Sequence, residues 1–492
     1  RDLCRQRVTR IDQSAPDDFD SNDVPGIVHQ HYRYAQFDNL MPLNGQARGF
    51  AVDDRNLADG FSFRRQTWPI VPIANRMEHA FVAMVIVIGA GIVGVCCALQ
   101  LAERGLSVTV IDRKPPCEET SFGNAGVISP WSCVPQSVPG LWRKIPRWLL
   151  DPEGPVFVRA RHAPAFLPWA MKFLSAGRHD RIDAIGDAMM ALSRNSPANY
   201  RALLQNTLAL DLVKDSVYVF AYRHSAQASL DQLGWRMRKM RDVPVSLVGA
   251  DELRQREPHI SRDYEAAILI HQQGRALNPS AIGKAIAEKA GSLGVRFVQS
   301  ETRRIVQTAE GWSAICEEQQ HDSAHLVLAA GVWSASLLKP FGLHLPLEAE
   351  RGYHLVCRNP GIEINNSIMD VEHMCVASQM AAGVRVAGTA EFAGIQAAPD
   401  HRRAFVFRKA LKSLFPRINL DEAEPWMGRR PTFPDSLPCI GRIEGLDGLY
   451  AAFGHSHYGL SQAPSTGRII ADCVMGRTPD VDLHPYRTGR FT

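Results

Sequence analysis

The run Val85-Ile-Val-Ile-Gly89-Ala-Gly91-Ile-Val-Gly94 constrains this chain more than any other feature. Its four consecutive β-branched residues read as a buried strand, because such side chains suit a sheet covered on both faces. Each glycine then has a physical reason to be there. Gly89 makes a tight turn, Gly91 lets backbone approach a pyrophosphate, and Gly94 allows a helix to pack closely on the strand. The helix pattern Val95–Arg104 follows, so its N-terminus would face the phosphates with a partial positive charge. The strand pattern Ser107–Ile111 ends at Asp112, where a carboxylate can accept both ribose hydroxyl protons. Together these features predict a dinucleotide site. An acid at position 112 disfavours NADP, whose extra phosphate it would repel, but the fingerprint does not separate FAD from NAD.

The uncharged run from Phe81 to Ala102 is long enough to span a membrane. The glycines at 89, 91 and 94 break it into strand, turn and helix, which is the reading adopted. The run starts too far into the chain for a signal peptide. A net charge of +4 without a long Lys/Arg block gives no electrostatic case for nucleic acid. Ten scattered cysteines, with Cys96 and Cys97 adjacent and no C-x-x-C, suggest neither a zinc cage nor a disulfide framework. A reducing compartment fits, so a cytoplasmic protein is expected, with peripheral contact at the inner membrane left open.

With 492 residues, two intertwined domains are the natural expectation. Residues 1–83 contain no lysine and little apolar periodicity, and are predicted to be a non-native or disordered leader. From Met84 onward strand and helix patterns alternate, which predicts an α/β architecture with a mainly parallel sheet. Helical patterns occur around Ile182–Asn206 and Leu230–Arg241, and at Asn278–Gly294, where Asn278 caps and Pro279 sits in the first turn. The segment from Pro346 to about Pro425 has strand-like runs at Tyr353–Arg358 and Gly383–Gly388, suited to an antiparallel substrate sheet.

Three later motifs favour FAD. Residues 120–126, Thr-Ser-Phe-Gly-Asn-Ala-Gly, are small and polar enough to hydrogen-bond a cofactor at close range. The strand Leu326-Val-Leu-Ala-Ala-Gly331, followed by Val-Trp333, ends in a second glycine where backbone can approach. Gly454-His-Ser-His-Tyr-Gly459-Leu leads into a helix pattern near the chain end, so a helix N-terminus can stabilise negative charge on a reduced isoalloxazine.

At these motifs, and at R-G-Y-H (351–354) and R-R-P-T-F-P-D-S-L-P-C-I-G (429–441), the chain resembles the D-amino acid oxidase superfamily of flavoproteins, most closely its bacterial D-amino acid dehydrogenase branch. The resemblance runs from Met84 to about Tyr486. It implies a Rossmann-like FAD-binding domain with a parallel sheet, interleaved with an α+β substrate domain containing an antiparallel sheet. The FAD-binding pieces are expected at 84–170, 276–345 and 426–492, and the substrate pieces at 171–275 and 346–425.

Carried over position by position, the resemblance implies that Gly89, Gly91, Ile92, Val93, Gly94, Asp112 and Arg113 hold the ADP half of non-covalent FAD. Ser121, Asn124, Ala125, Gly126, Ala330, Gly331 and Trp333 would line the pyrophosphate and flavin, with Gly454, Gly459 and Leu460 beside the ring. Arg430 is the expected carboxylate clamp, with Arg429 its rival. His455, His457 and Tyr458 are polar groups that would lie near the reacting centre, and Tyr353 and His354 would gate the pocket or bind the carboxylate. The His455-x-His457 pair lacks a nearby carboxylate or cysteine cluster, so no metal site is predicted. Cys439 is expected to be a packed thiol.

The implied reaction is FAD-dependent oxidation of a small D-amino acid or cyclic amino acid by hydride transfer from Cα to flavin N5. The Gly-His-Ser-His-Tyr-Gly loop departs from the commoner loop of the D-amino acid dehydrogenases, and by that resemblance points to D-proline and cis-4-hydroxy-D-proline ahead of acidic D-amino acids. A quinone or another carrier is preferred to O2 as acceptor. A glycine- or sarcosine-type amine oxidase using O2, and a flavin-binding subunit of a larger dehydrogenase, are the rival readings.

Overall fold

The computed structural model describes residues 84–151 and 153–491. The expected leader, residues 1–83, lies outside the described residues. The fingerprint folds as strand Met84–Ile88, helix Ile92–Ala102 and strand Ser107–Asp112, the two strands parallel with Val85 opposite Val108. Gly89 turns the chain at φ +108°, and its N–H donates to Ile111 O at 2.8 Å. The apolar run is therefore spent on a sheet and a helix. Among the described residues no helix is long and apolar enough to cross a membrane.

These strands lie in a six-stranded sheet ordered Cys439–Arg442, Leu449–Phe453, His325–Leu328, Met84–Ile88, Ser107–Asp112, Arg296–Gln299. All its pairs are parallel except the first. Alternate side chains enter separate cores: Val85 and Val87 pack with the fingerprint helix, whereas Ile86 and Ile88 join Trp312 and Phe453 on the other face. The terminal helix Gly459–Val474 crosses the fingerprint helix where a Cβ on Gly467 would lie 2.6 Å from Cys96 O. That close approach buries Cys96 and Cys97, and burial pushes both thiols up. The hydroxyl of Tyr200 donates to Leu460 O at 2.7 Å and fixes the start of the terminal helix.

The second sheet has eleven strands and is largely antiparallel. Its centre is Glu348–Cys357, paired with Ala423–Thr432 on one side and with Gly383–Ala387 and Ala390–Phe392 on the other. Its membership moves two expected boundaries. Val127–Ile128 and Val156–Val158, placed in the first nucleotide-binding piece, and Trp426–Thr432, placed in the third, all pair in this sheet. Short strands inside a connecting segment carry too little periodicity to reveal their partners.

The helical pattern Ile182–Asn206 divides into Ile182–Ser193 and Ser196–Leu203, because Asn195 adopts a left-handed φ of 59° and Pro197 starts a new first turn. Leu230–Arg241 contracts to Leu233–Lys239. Asn278 caps Pro279–Ser292 by accepting from Ala281 N–H at 3.1 Å.

Candidate active site

A cavity of about 1130 Å³ runs from the fingerprint to the terminal helix. That exceeds the roughly 300–1,000 Å³ of ordinary ligand pockets and suits an extended dinucleotide with a small substrate beside it. At one end Gly91, Ile92, Val93, Asp112, Arg113, Ser121, Asn124 and Ala125 line it, and Ala330, Gly331 and Trp333 follow. Gly454, His455, His457, Tyr458, Gly459 and Leu460 form the far wall with Arg430.

The glycines divide by what they face. A Cβ on Gly89 would sit 2.4 Å from Ala329 O, and one on Gly94 would sit 1.9 Å from Gly89 O, so protein packing excludes both. Gly94 does not line the cavity; its bare Cα seats the helix on the turn. Gly126 also lies off the cavity wall, and a Cβ there would meet Ala276 O at 2.6 Å. Gly91, Gly331 and Gly459 behave differently. They line the cavity, and a Cβ on each would meet no backbone and at most one side-chain atom, at 3.5 Å. Backbone from three distant parts of the chain is thus bared to whatever the cavity holds.

The fingerprint helix has no side-chain cap at Gly91 and no acid in its first turn. Its Ile92 N–H donates to Ser121 Oγ at 3.0 Å. The helix start therefore offers partial positive charge to an anion. Asp112 accepts from Ala90 N–H at 2.7 Å and Lys114 N–H at 2.9 Å. Burial pushes its pKa up against the pull of those bonds. Each oxygen keeps a further lone pair for a ribose hydroxyl. The guanidinium of Arg113 lies over Trp333, 3.9 Å from the ring centroid. Asn124 accepts from Gly126 N–H at 2.8 Å and so shapes its own loop. A bared backbone, a helix start without an acidic residue and a partly buried carboxylate fit an FAD nucleotide.

At the other end, neighbouring strands place Glu350 directly opposite Arg430. Arg430 Nη1 donates to Glu350 Oε1 at 2.7 Å and to Thr389 O at 3.1 Å. Both bonds come from Nη1, which leaves Nε and Nη2 for an acceptor in the cavity. The guanidinium lies flat on Gly352, where a Cβ would come within 2.2 Å of Cζ and Nη2. His457 Nε2 meets the same Glu350 oxygen at 2.5 Å, and Thr432 Oγ1 donates to Oε2 at 3.0 Å. Burial pushes the Glu350 carboxyl up, but the charges and hydrogen bonds of His457 and then Arg430 overcome it and hold the group well below the usual carboxylate range. Glu350 has no local signature, since its role depends on a register set 80 residues away.

Arg429, the rival clamp, points off the cavity, and its Nε donates to Ile395 O at 2.9 Å. Adjacent residues of a strand face opposite sides. Tyr353 touches the cavity wall, but its hydroxyl donates to Glu391 at 2.7 Å and accepts from Asp400 N–H at 3.0 Å. His354 does not line the cavity. Its ring stacks on Trp426 at 4.8 Å and Nδ1 meets Gly123 O at 3.1 Å, and burial above all pushes its pKa down to about 3. The Tyr353 hydroxyl is engaged on both sides, and His354 stands off the cavity wall, which corrects the expectation from the R-G-Y-H motif for His354. Arg351 is wholly buried against Glu391.

The His-x-His pair also separates. His457 turns to Glu350, whereas buried His455 meets Thr466 Oγ1 at 3.0 Å and is pushed down to about 3 by burial. Tyr458 reaches Val134 O at 3.3 Å, and burial raises its phenol pKa. Cys439 is fully buried with Arg490 donating to its sulfur at 3.2 Å, and does not line the cavity.

Residues 84–473 match the family described as DAO, FAD dependent oxidoreductase. A D-amino-acid oxidase of Bradyrhizobium diazoefficiens is 36% identical over 417 residues, covering 83% of this chain and 98% of the relative. A D-amino acid dehydrogenase of Rhizobium johnstonii is 30% identical over 418 residues, covering 83% and 99%. Among solved structures, an L-proline dehydrogenase from P. horikoshii superposes with a TM-score of 0.63 at 20% identity, covering 83% of this chain and 97% of that one. A glycine oxidase from Bacillus cereus superposes at 0.62 and 20%, covering 82% and 97%. At such identities these two structures speak for the fold alone.

Proposed function

We propose that this chain, which belongs to the DAO family of FAD-dependent oxidoreductases, oxidises the C–N bond of a small D-configured or cyclic amino acid. D-proline and cis-4-hydroxy-D-proline are placed ahead of acidic D-amino acids. The observation that carries the reading is Arg430: its inner nitrogen is tied to Glu350 and Thr389, and its remaining donors are left at the cavity wall beside Gly454–Gly459. A planar guanidinium matches the two oxygens of an α-carboxylate. The names of the two relatives above, one an oxidase and one a dehydrogenase of D-amino acids, support the same substrate class.

Bound FAD supplies the two-electron acceptor for a hydride. The chain's own part is to bind, orient and exclude water. Arg430 fixes the carboxylate, and Glu350 fixes Arg430. His457 shares the Glu350 oxygen and so helps to hold that carboxylate in place. His455, neutral and bonded to Thr466, is placed to hold the loop rather than to take a proton. No strong side-chain base is required once the amine is neutral. The imine formed then hydrolyses to an oxo acid, or persists as a ring imine when the amine is secondary.

For the electron acceptor we favour a quinone or another carrier. Direct use of O2 is the second reading, favoured by the higher identity to the relative named an oxidase. The holoenzyme incubated with D-proline and an artificial carrier should release the ring imine, while O2 alone should consume substrate slowly. Absence of imine with every D-configured or cyclic amino acid would overturn the substrate reading. Rapid peroxide release would overturn the carrier.

A further inference from the structure

A second arginine, Arg238, lines the same cavity, and the reaction derived above does not use it. It stands on the short helix Leu233–Lys239, with its guanidinium 4.6 Å from the Trp235 ring and 5.5 Å from that of Phe220. Trp235 meets Phe220 edge-on at 4.9 Å and donates through Nε1 to Tyr222 Oη at 3.2 Å, so these walls are fixed to one another. Arg238 Nη1 donates only to Gly234 O of its own helix, at 3.1 Å. Its Nε is buried without a hydrogen-bond partner. Among the described residues no carboxylate pairs with it.

The titratable groups that reach Arg238 are Cys133, Tyr458, Tyr218 and Tyr222, which are ordinarily neutral, and burial lowers its pKa. Aromatic faces compensate a guanidinium only in part. A desolvated cation without a counter-charge is costly, and Arg430 avoids that cost through Glu350. Arg238 has no such partner, yet it borders a cavity built for a ligand. Tyr458 lies within electrostatic reach of both Arg238 and Glu350, which ties this end of the cavity to the carboxylate clamp.

We infer that Arg238 is a second recognition point, which binds a hydrogen-bond-accepting oxygen that the substrate carries away from its α-carboxylate, either a ring hydroxyl or a side-chain carboxylate. The inference rests on the amino-acid reading above and narrows it to substrates with such an oxygen. The two arginines then select for a molecule with acceptors at both ends, and the aromatic walls hold its apolar middle.

The test compares wild-type holoenzyme with Arg238→Met and Arg238→Lys on D-proline, cis-4-hydroxy-D-proline and D-glutamate. In Arg238→Met the kcat/KM ratio of an oxygen-bearing substrate to D-proline should fall about 10- to 100-fold. D-proline itself should change by less than about threefold, and Lys should restore part of the ratio. A fall confined to the hydroxylated substrate identifies a hydroxyl, and one confined to D-glutamate identifies a carboxylate. Unchanged ratios, or an equal loss on all three substrates, would overturn the inference. A second arm needs no turnover: tryptophan fluorescence titrated with glutarate and butyrate. Wild type should bind glutarate about 10-fold more tightly, and Arg238→Met should lose the difference. Equal binding in wild type would overturn the carboxylate form of the inference even where the amino-acid reading stands, whereas a glutarate preference without turnover of any amino acid would fault that reading alone.

Discussion

Glu350 and Arg430 occupy directly opposed positions on paired antiparallel strands, and their side chains meet at 2.7 Å. The pair is buried on the Glu350 side and open to the cavity on the Arg430 side. One carboxylate thus orients the guanidinium while leaving two of its nitrogens for substrate. Removing Arg430 should therefore affect binding more than chemistry. Arg430→Ala should keep its flavin and lose about 30- to 1000-fold in kcat/KM, mostly through KM, as expected for a charge-assisted pair of about 2–4 kcal/mol. Arg430→Lys should recover only part. Steady-state kinetics with the carboxylate substrate check this, and a near-normal KM would acquit Arg430.

The contact that His457 shares with Arg430 gives a second prediction. Arg430 and His457 meet the same oxygen of Glu350, at 2.7 and 2.5 Å, so His457 helps to hold the carboxylate that orients the guanidinium. His457→Gln loosens that hold. It should raise KM by about fivefold or less, since Arg430 and Thr432 still hold Glu350. A KM identical to wild type would remove His457 from substrate binding.

The fingerprint can be tested by size alone. A Cβ on Gly89 would strike Ala329 O at 2.4 Å in a residue with φ of +108°, and one on Gly94 would strike Gly89 O at 1.9 Å. Gly89→Ala and Gly94→Ala should each cost about 2–5 kcal/mol of stability and most of the bound flavin. Gly331→Ala has open space around its Cβ and should be far milder for the fold, the cost being strain at φ of +55°. The flavin-to-protein ratio and thermal midpoints of the three variants decide the ranking.

How far these features could be read beforehand follows from their range. The fingerprint strand, turn and helix, and the Asn278 cap, are set by neighbours within a few residues and fold as the pattern implied. Arg429 and Arg430 could not be separated by sequence alone, because the alternation of the strand says that they face opposite sides without saying which side is the cavity. Glu350 needed the register with Ala423–Thr432. Tyr353 and His354 looked like substrate ligands, but both have partners from distant segments, Glu391, Asp400 and Gly123. The aromatic setting of Arg238 is assembled from strand Val213–Tyr222 and a separate helix, so no local pattern announces it.

His354 gives a prediction about pH. Its ordinary pKa of 6.5 is pushed down to about 3 in the fold, chiefly by burial and then by the charge of Arg385. The unfolded chain therefore takes up a proton near 6.5 that the folded one refuses. The stability that neutral His354 contributes is present above 6.5 and is lost as pH falls toward 3, at up to about 1.4 kcal/mol per pH unit. His354→Gln should lose stability less steeply between pH 6.5 and 4.5, by up to about 2.7 kcal/mol over that window. Denaturant unfolding of both proteins at several pH values measures the difference, and parallel curves would mean that His354 is already protonated in the fold.

The central claim is that the cavity oxidises an amino acid held by its carboxylate, and anaerobic reduction of the bound flavin tests it most directly. The holoenzyme is mixed, without O2, with a panel of D- and L-amino acids, D- and L-proline, cis-4-hydroxy-D-proline and amines that lack a carboxylate. Loss of the flavin's visible absorbance with D-configured or cyclic amino acids, and a much slower loss in Arg430→Ala at the same substrate concentration, is the predicted result. Bleaching only by L-amino acids or by amines without a carboxylate, or at a rate indifferent to Arg430, would contradict it.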